Sequence, residues 1–203
     1  MHAATHAAFA LFAAISIGAA AAPQQFQIDP ANTQVHWEVR HFGTSTSRGR
    51  FTDVSASVAL DTAARRGSLA VTIGTAGIDS GVKPLDAMLR GDWFLASKAH
   101  PQAYFVATNL AFDGDRLTQA HGEFTLRGVS RPLTLRAIRF GCQPRADSSA
   151  EVCGGDFEAE FRRSDFGITY GLPFVEDRVR LVIQVEASRP AVTLQEPAKA
   201  PDA

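Results

Sequence analysis

The stretch FTLRGVSRPLTLR, Phe124–Arg136, decides how the rest of the chain is read. Two runs alternate apolar and polar residues, and a Gly-Val-Ser-Arg-Pro corner joins them. Successive side chains of a strand point to opposite faces. Phe124 and Leu126 therefore share one face, and Leu133 and Leu135 share one face of the returning strand. This is a hairpin, apolar on one side and polar on the other. The same period extends in both directions along the chain. VHWEVRH sets Val35, Trp37, Val39 and His41 on one face, VSASVAL sets Val54, Ala56, Val58 and Leu60, and SLAVTIGT sets Leu69, Val71 and Ile73. Downstream, DFEAEFRR aligns Phe157, Ala159 and Phe161, and RVRLVIQVEA aligns Val179, Leu181, Ile183 and Val185. Only AYFVATNLAF resists a single phase: Tyr104, Val106, Leu110 and Phe112 share parity while Phe105 falls opposite, the mark of a bulge.

The count comes to about eight strands, with turn signals such as Asp113-Gly114-Asp115 between them and short connections that favour antiparallel neighbours. One segment breaks the pattern. KPLDAMLRGDWFLASKAHP places Leu85, Met88 and Leu89 at helical spacing behind Pro84, which predicts a short helix with Pro101 as its stop. Strands with one apolar face close into a barrel or stack as a sandwich, and periodicity alone does not choose.

The chain has 203 residues, 45% hydrophobic and 20% charged, with a formal net charge of -1, enough for one domain with a real core. That charge argues against a nucleic-acid partner, since phosphate contacts need an excess of Lys and Arg. The local pairs Arg48 and Arg50, Arg65 and Arg66, and Arg162 and Arg163 read as solvated strand faces. Residues 1–22 read as a secretory signal peptide. They are dense in Ala and apolar residues, carry no Lys, Arg or acid, and end in Ala20-Ala21-Ala22, where cleavage is expected. The apolar run is shorter than the ~20 residues that span a membrane. A domain over 23–188 and a loosely ordered Pro- and Ala-rich tail over 189–203 follow. Cys142 and Cys153 flank a polar segment between two strand-like runs, and export would let them form a disulfide. A two-Cys metal clip and a pair of free thiols are the alternatives.

Four separated stretches carry a resemblance. FQIDPANTQVHWEVRHFGTSTSRGRF, GIDSGVKPLDAMLRGDWFLASKAHPQAYF, GEFTLRGVSRPLTL and FRRSDFGITYGLPFVEDRVRLVIQVEA together resemble, in order, the YceI-like proteins, a family of often periplasmic, polyisoprenoid-binding bacterial proteins. They span Phe26 to Ala187. The cysteine pair also looks like a feature of exported members. Two departures stand out: Arg127 occupies the place where the family's hairpin usually has His, and no Arg precedes the Asp matched by Asp86. The resemblance implies a lipocalin-like, eight-stranded antiparallel β-barrel with a short helix alongside, and a tunnel that holds an isoprenoid chain as in quinones or prenyl diphosphates. Its localisation would be periplasmic.

A long alkene tail needs apolar walls and exclusion of water, worth about 25 cal/mol per Å² of apolar surface covered. The inward set expected to line the ligand is Val35, Trp37, Val39, His41, Val71, Ile73, Phe124, Leu126, Leu133, Leu135, Phe157, Phe161, Leu181 and Ile183. Asp86, Arg163 and Asp165 are candidate polar contacts: Asp165 as a turn cap, Arg163 in a pair with Asp165 or a head-group oxygen. Catalytic motifs and zinc-ligand spacing are absent from the sequence, and His36, His41, His100 and His121 lie in separate segments. The expectation is an exported binder rather than an enzyme, with no required cofactor, no metal and a bound polyisoprenoid lipid. Its partners would be that lipid and a membrane protein that donates or accepts it, with a homodimer left open. The competing readings are an enzyme acting on a small amphipathic substrate in the same cavity and a stress-related interaction protein with a filled barrel.

Overall fold

A computed structural model describes residues 22–145 and 150–189; the signal segment and the tail, expected from sequence, fall outside the described residues save Ala22 and Arg189. The described residues hold eleven extended segments: β1 (Gln24–Ile28), β2 (Gln34–His41), β3 (Ser45–Phe51), β4 (Val54–Asp61), β5 (Arg66–Gly74), β6 (Ile78–Asp79), β7 (Gln102–Asp113), β8 (Arg116–Leu126), β9 (Val129–Pro144), β10 (Glu151–Arg162) and β11 (Val175–Arg189). Every pairing is antiparallel. The order is β1-β4-β5-β7-β8-β9-β10-β11, and β11 returns to β1 through Gln27↔Ser188 and Ile28↔Ala187. The ring is closed.

Three of its walls are strands broken at a common level. β1 and β2 lie end to end along β11, separated by the turn Asp29–Thr33, in which Asp29 accepts bonds from Ala31 N and Asn32 Nδ2, both at 2.9 Å. β3 and β4 are separated by Thr52 and Asp53, and β5 and β6 by the 3-10 turn Thr75–Gly77. The breaks are stitched together by Thr52 N to Gly77 O at 2.9 Å and Gly74 N to Asp53 O at 2.9 Å. Counting these continuations as one, the wall is an eight-stranded barrel, and the sandwich is excluded.

The opening hairpin is tighter than its sequence suggests. Leu126 faces Val129 in register, so the turn is Arg127-Gly128 alone, and Ser130, Arg131 and Pro132 already belong to β9. Arg127 and Gly128 take φ of 52° and 74°, the left-handed pair that matches strand twist in a two-residue hairpin. Arg127 Nη1 donates to Asp92 O at 3.0 Å and to Phe94 O, tying the turn to the segment after the helix.

In β7 the alternation changes phase. Ala103, Phe105 and Ala107 are buried, while Tyr104 and Val106 are 41% and 51% exposed, opposite to the parity expected from Leu110 and Phe112. The register to β8 slips between Ala107 and Asn109, and this bulge returns Leu110 and Phe112 to the inner side. The helix, α1 (Lys83–Arg90), is shorter than the stretch that announced it. It ends at Gly91, whose N–H donates to Met88 O, ten residues before Pro101.

Outside, the alternate residues form a charged ladder across five strands, β3, β2, β11, β10 and β9. Arg48 lies 3.6 Å from Glu38, Arg180 bonds Glu38 at 3.1 Å and Glu158 at 2.7 Å, and Arg136 pairs with Glu158. Cys142 and Cys153 face each other in the β9–β10 register and are joined as a disulfide, with a Cα–Cα distance of 4.0 Å; neither the metal clip nor free thiols apply. The bridge closes a loop of sequence separation 11. In the loop-entropy description, replacing both cysteines by Ala lowers unfolding free energy by about 2–3 kcal/mol. Denaturant unfolding checks this: the double variant and the reduced wild type should shift to the same lower midpoint.

Candidate functional site

The inner side of the barrel is largely apolar, with Ser47, Thr75 and Arg163 as polar exceptions, and the candidate site lies in this interior. It is not filled. Two chambers occupy it, of about 110 Å³ and about 360 Å³, and Ile73, Phe124 and Leu181 line both and form the waist between them. The smaller chamber sits toward the β1–β11 seam, with walls of almost pure hydrocarbon. Val35, Val71, Leu133, Leu135, Phe157 and Ile183 of the expected set lie on it. The larger chamber lies beneath α1, and Trp37, Val39, His41, Leu126 and Phe161 line it. All fourteen apolar and His positions drawn from parity thus fall on cavity wall, divided between the two chambers.

Others were missed. Phe105, Leu110 and Leu117 line the smaller chamber, and Leu85, Met88, Leu89, Phe94 and Leu95 the larger. Phe105 was hidden by the β7 bulge. The helical triplet was visible in sequence as a stripe, but only the fold lays α1 across a barrel end. Met88 lines the chamber and is 46% exposed, so the larger chamber reaches the surface beside it. Exposed aromatic rings flank the same end: Phe42 stacks on His41 and Phe174, and Tyr170 packs against Trp93 and Phe94. At the waist, Phe124, Phe161 and Phe166 form a three-ring cluster with centroids 5.2–5.4 Å apart. Such tilted and edge-on contacts suit the ring quadrupoles.

The polar candidates separate sharply. Arg163, one of a pair expected to be solvated, is only 4% exposed. Its guanidinium lies on the wall of the larger chamber and donates to four carbonyls: Glu176 O at 2.9 Å, Ile168 O at 3.2 Å, Tyr170 O at 2.8 Å and Val175 O at 2.8 Å. These bonds go to the loop that leads into β11 and to the first residues of β11, not to Asp165. Burial pushes its pKa down, and the Asp177 carboxylate offsets part of that. Asp165 is exposed in the 3-10 turn Arg163–Phe166 and lines neither chamber. Asp177 does the capping instead, accepting from Ser164 N at 2.9 Å and Ser164 Oγ at 2.7 Å. Burial pushes the Asp177 carboxyl up, but the two Ser164 bonds and the charges of Arg163 and Arg162 outweigh it and hold it below the usual range. Asp86 is buried but outside the cavity wall. It accepts from Ser80 Oγ at 2.5 Å and Ser80 N at 2.7 Å, fixing α1 to the turn after β6.

The family model for the YceI-like domain matches residues 26–187. The chain belongs to the YceI-like family. Relatives of this family include the protein YceI of Escherichia coli O157:H7, 31% identical over 169 residues that cover 83% of this chain and 87% of that one. Among solved structures, the YCEI protein of Campylobacter jejuni is 27% identical, covering 74% of this chain and 89% of that one with a TM-score of 0.63. A polyisoprenoid binding domain from Saccharophagus degradans, implicated in plant cell wall breakdown, shares the fold at 14% identity and a TM-score of 0.60, covering 83% of this chain and 99% of that one. The YceI-like barrel described above is therefore the fold of the family.

Two consequences are measurable. The Ser80 hydroxyl, then the Ser80 amide, hold the Asp86 carboxyl below its usual 3.8. A carboxyl depressed on folding contributes stability that is whole above the unfolded pKa and is lost as pH falls through the folded pKa. Asp86→Asn should therefore shrink the difference in melting temperature between pH 7 and about pH 3, a window set by the ordinary carboxylate range. Arg163→Met leaves buried carbonyls without donors and should cost about 2–4 kcal/mol in denaturant unfolding.

Proposed function

We propose that this YceI-like chain is an exported lipid-binding protein that sequesters or carries a polyisoprenoid, of quinone or prenyl type, inside its barrel. The observation that carries the reading is the pair of largely hydrocarbon-walled chambers that meet at Ile73, Phe124 and Leu181. A long, thin, flexible apolar guest suits two chambers in line, and transfer from water supplies the drive. The polyisoprenoid binding domain with which this chain shares its fold supports the same choice of guest. Export is supported by the Ala-rich apolar start of the sequence and by the disulfide, which an oxidising compartment maintains. The periplasm is the compartment that fits. Loading would occur at a membrane or from a membrane protein, because the exposed aromatic rings stand at the open end, and such rings favour the boundary between water and lipid.

Binding is supported over catalysis by the chemistry of the larger chamber. His41 packs edge-on against Phe42, and the guanidinium hydrogen bonds of Arg163 go to backbone carbonyls, with the Asp177 charge near, so the larger chamber's polar groups are engaged in holding its wall. Mass spectrometry of an organic extract of the native protein should recover an isoprenoid lipid near one equivalent. Ala120, 1% exposed on the smaller chamber, offers a direct control: Ala120→Leu fills part of that space and should weaken uptake of an added long-chain quinone about tenfold. Gentle purification that yields no lipid, together with no saturable uptake of added quinone, overturns the reading.

A further inference from the structure

The smaller chamber ends at a plug. Behind it, at the end of the barrel where β4 turns into β5, lies a further space of about 150 Å³, whose wall includes Phe26, Asp61 and Cys142. Leu60 and Cys153 stand on the wall of both the chamber and this space. They are 6% and 4% exposed and belong, with Phe26, Val58 and Ala187, to a second hydrophobic cluster. Leu60 is firmly placed. Its register partner on β5 is Gly67, which has the inward parity of Leu69, Val71 and Ile73. A Cβ on Gly67 would lie 2.9 Å from Leu60 Cδ2 and 2.9 Å from Leu110 Cδ1, so the two leucines fill the place a side chain would take. Cys153 is held from the other side, because its sulfur is bonded to Cys142.

The larger chamber reaches the surface beside Met88, and its wall carries the polar side chains His41, Ser47, Thr75 and Arg163. A guest's polar head stays on that side, where it keeps polar company, and its hydrocarbon tail runs on into the smaller chamber toward Leu60. We infer that Leu60, backed by the tethered Cys153, is the stop against which the end of the tail rests, and so sets the longest isoprenoid chain the barrel accepts. This rests on the lipid-binding reading above and specifies it. A packed leucine does not yield to one more prenyl unit, since overfilling a close-packed wall forces side chains out of their rotamers. Truncating it opens the smaller chamber to the space behind, where Phe26 supplies apolar wall.

The test uses protein stripped of lipid and an equimolar mixture of ubiquinone homologues that share one head and differ in tail length by single isoprene units. Mass spectrometry of the bound fraction reads which tails are retained. The wild type should retain tails up to a limiting length and discriminate against longer ones. Leu60→Ala should move that limit to longer tails and raise retention of the first homologue beyond it about tenfold, as burial of about two more carbons implies. Leu135→Ala, the same truncation on the side wall of the smaller chamber, should leave the limit in place. In the wild type, a quinone with a diazirine at the far end of its tail should label, on irradiation, the peptides that carry Leu60 or Cys153. That measurement decides the matter even if Leu60→Ala does not fold. A wild type that retains all lengths equally, a limit that Leu60→Ala does not move, an equal shift by Leu135→Ala, or labelling confined to other peptides overturns the inference while the lipid-binding reading stands. Failure of the wild type to take up any homologue overturns that reading itself.

Discussion

Everything in this molecule depends on one strand being shared. β11 pairs with β10 along one edge, and along the other with β2 and then β1. That second edge turns a sheet into a ring. Without Gln27↔Ser188 and Ile28↔Ala187 the smaller chamber would have a gap in its wall, and two strands would present unpaired backbone to other chains. Closure also explains the long, continuous run of β11: it has to span the level at which its neighbours break.

The breaks at Asp29–Thr33, Thr52–Asp53 and Thr75–Gly77 interrupt three adjacent walls, and the smaller chamber lies on the side of the β1–β11 seam, the larger on the α1 side of the barrel. Arg163 works on the opposite side of the same chamber. A single side chain gathers four carbonyls of the 168–176 segment, which would otherwise face an apolar space with no donor. Burial of such a cation is tolerable because its donors are spent on those carbonyls and the Asp177 charge stands near. The chamber is thus shaped by backbone satisfaction at its rim as much as by side-chain volume within it.

Much of this was legible from alternation. Val35, Trp37, Val39 and His41 read inward in the sequence and are inward in the structure, because a closed ring leaves one face of each strand nowhere else to go. The choice of a barrel came from the family resemblance, since the same period serves a sandwich. What escaped has physical causes. One extra residue near Thr108 reverses the phase of β7, and no residue type there announces it. Arg163 falls on the inward parity of Phe157, Ala159 and Phe161 and is inward, but its partners are not Asp165 or a head group: they are backbone carbonyls of residues 168–176, which no side-chain pattern marks as acceptors.

The ladder of Arg48, Glu38, Arg180, Glu158 and Arg136 on the outer surface has a further meaning. Strands of a pore-forming outer-membrane cylinder turn oily residues to the bilayer and polar ones to the lumen, and a charge at mid-depth on the lipid side is penalised heavily. Here the polarity is reversed, with ions outside and hydrocarbon within. A wall built this way is a water-borne vessel: it bathes in solvent and keeps its dry compartment to itself.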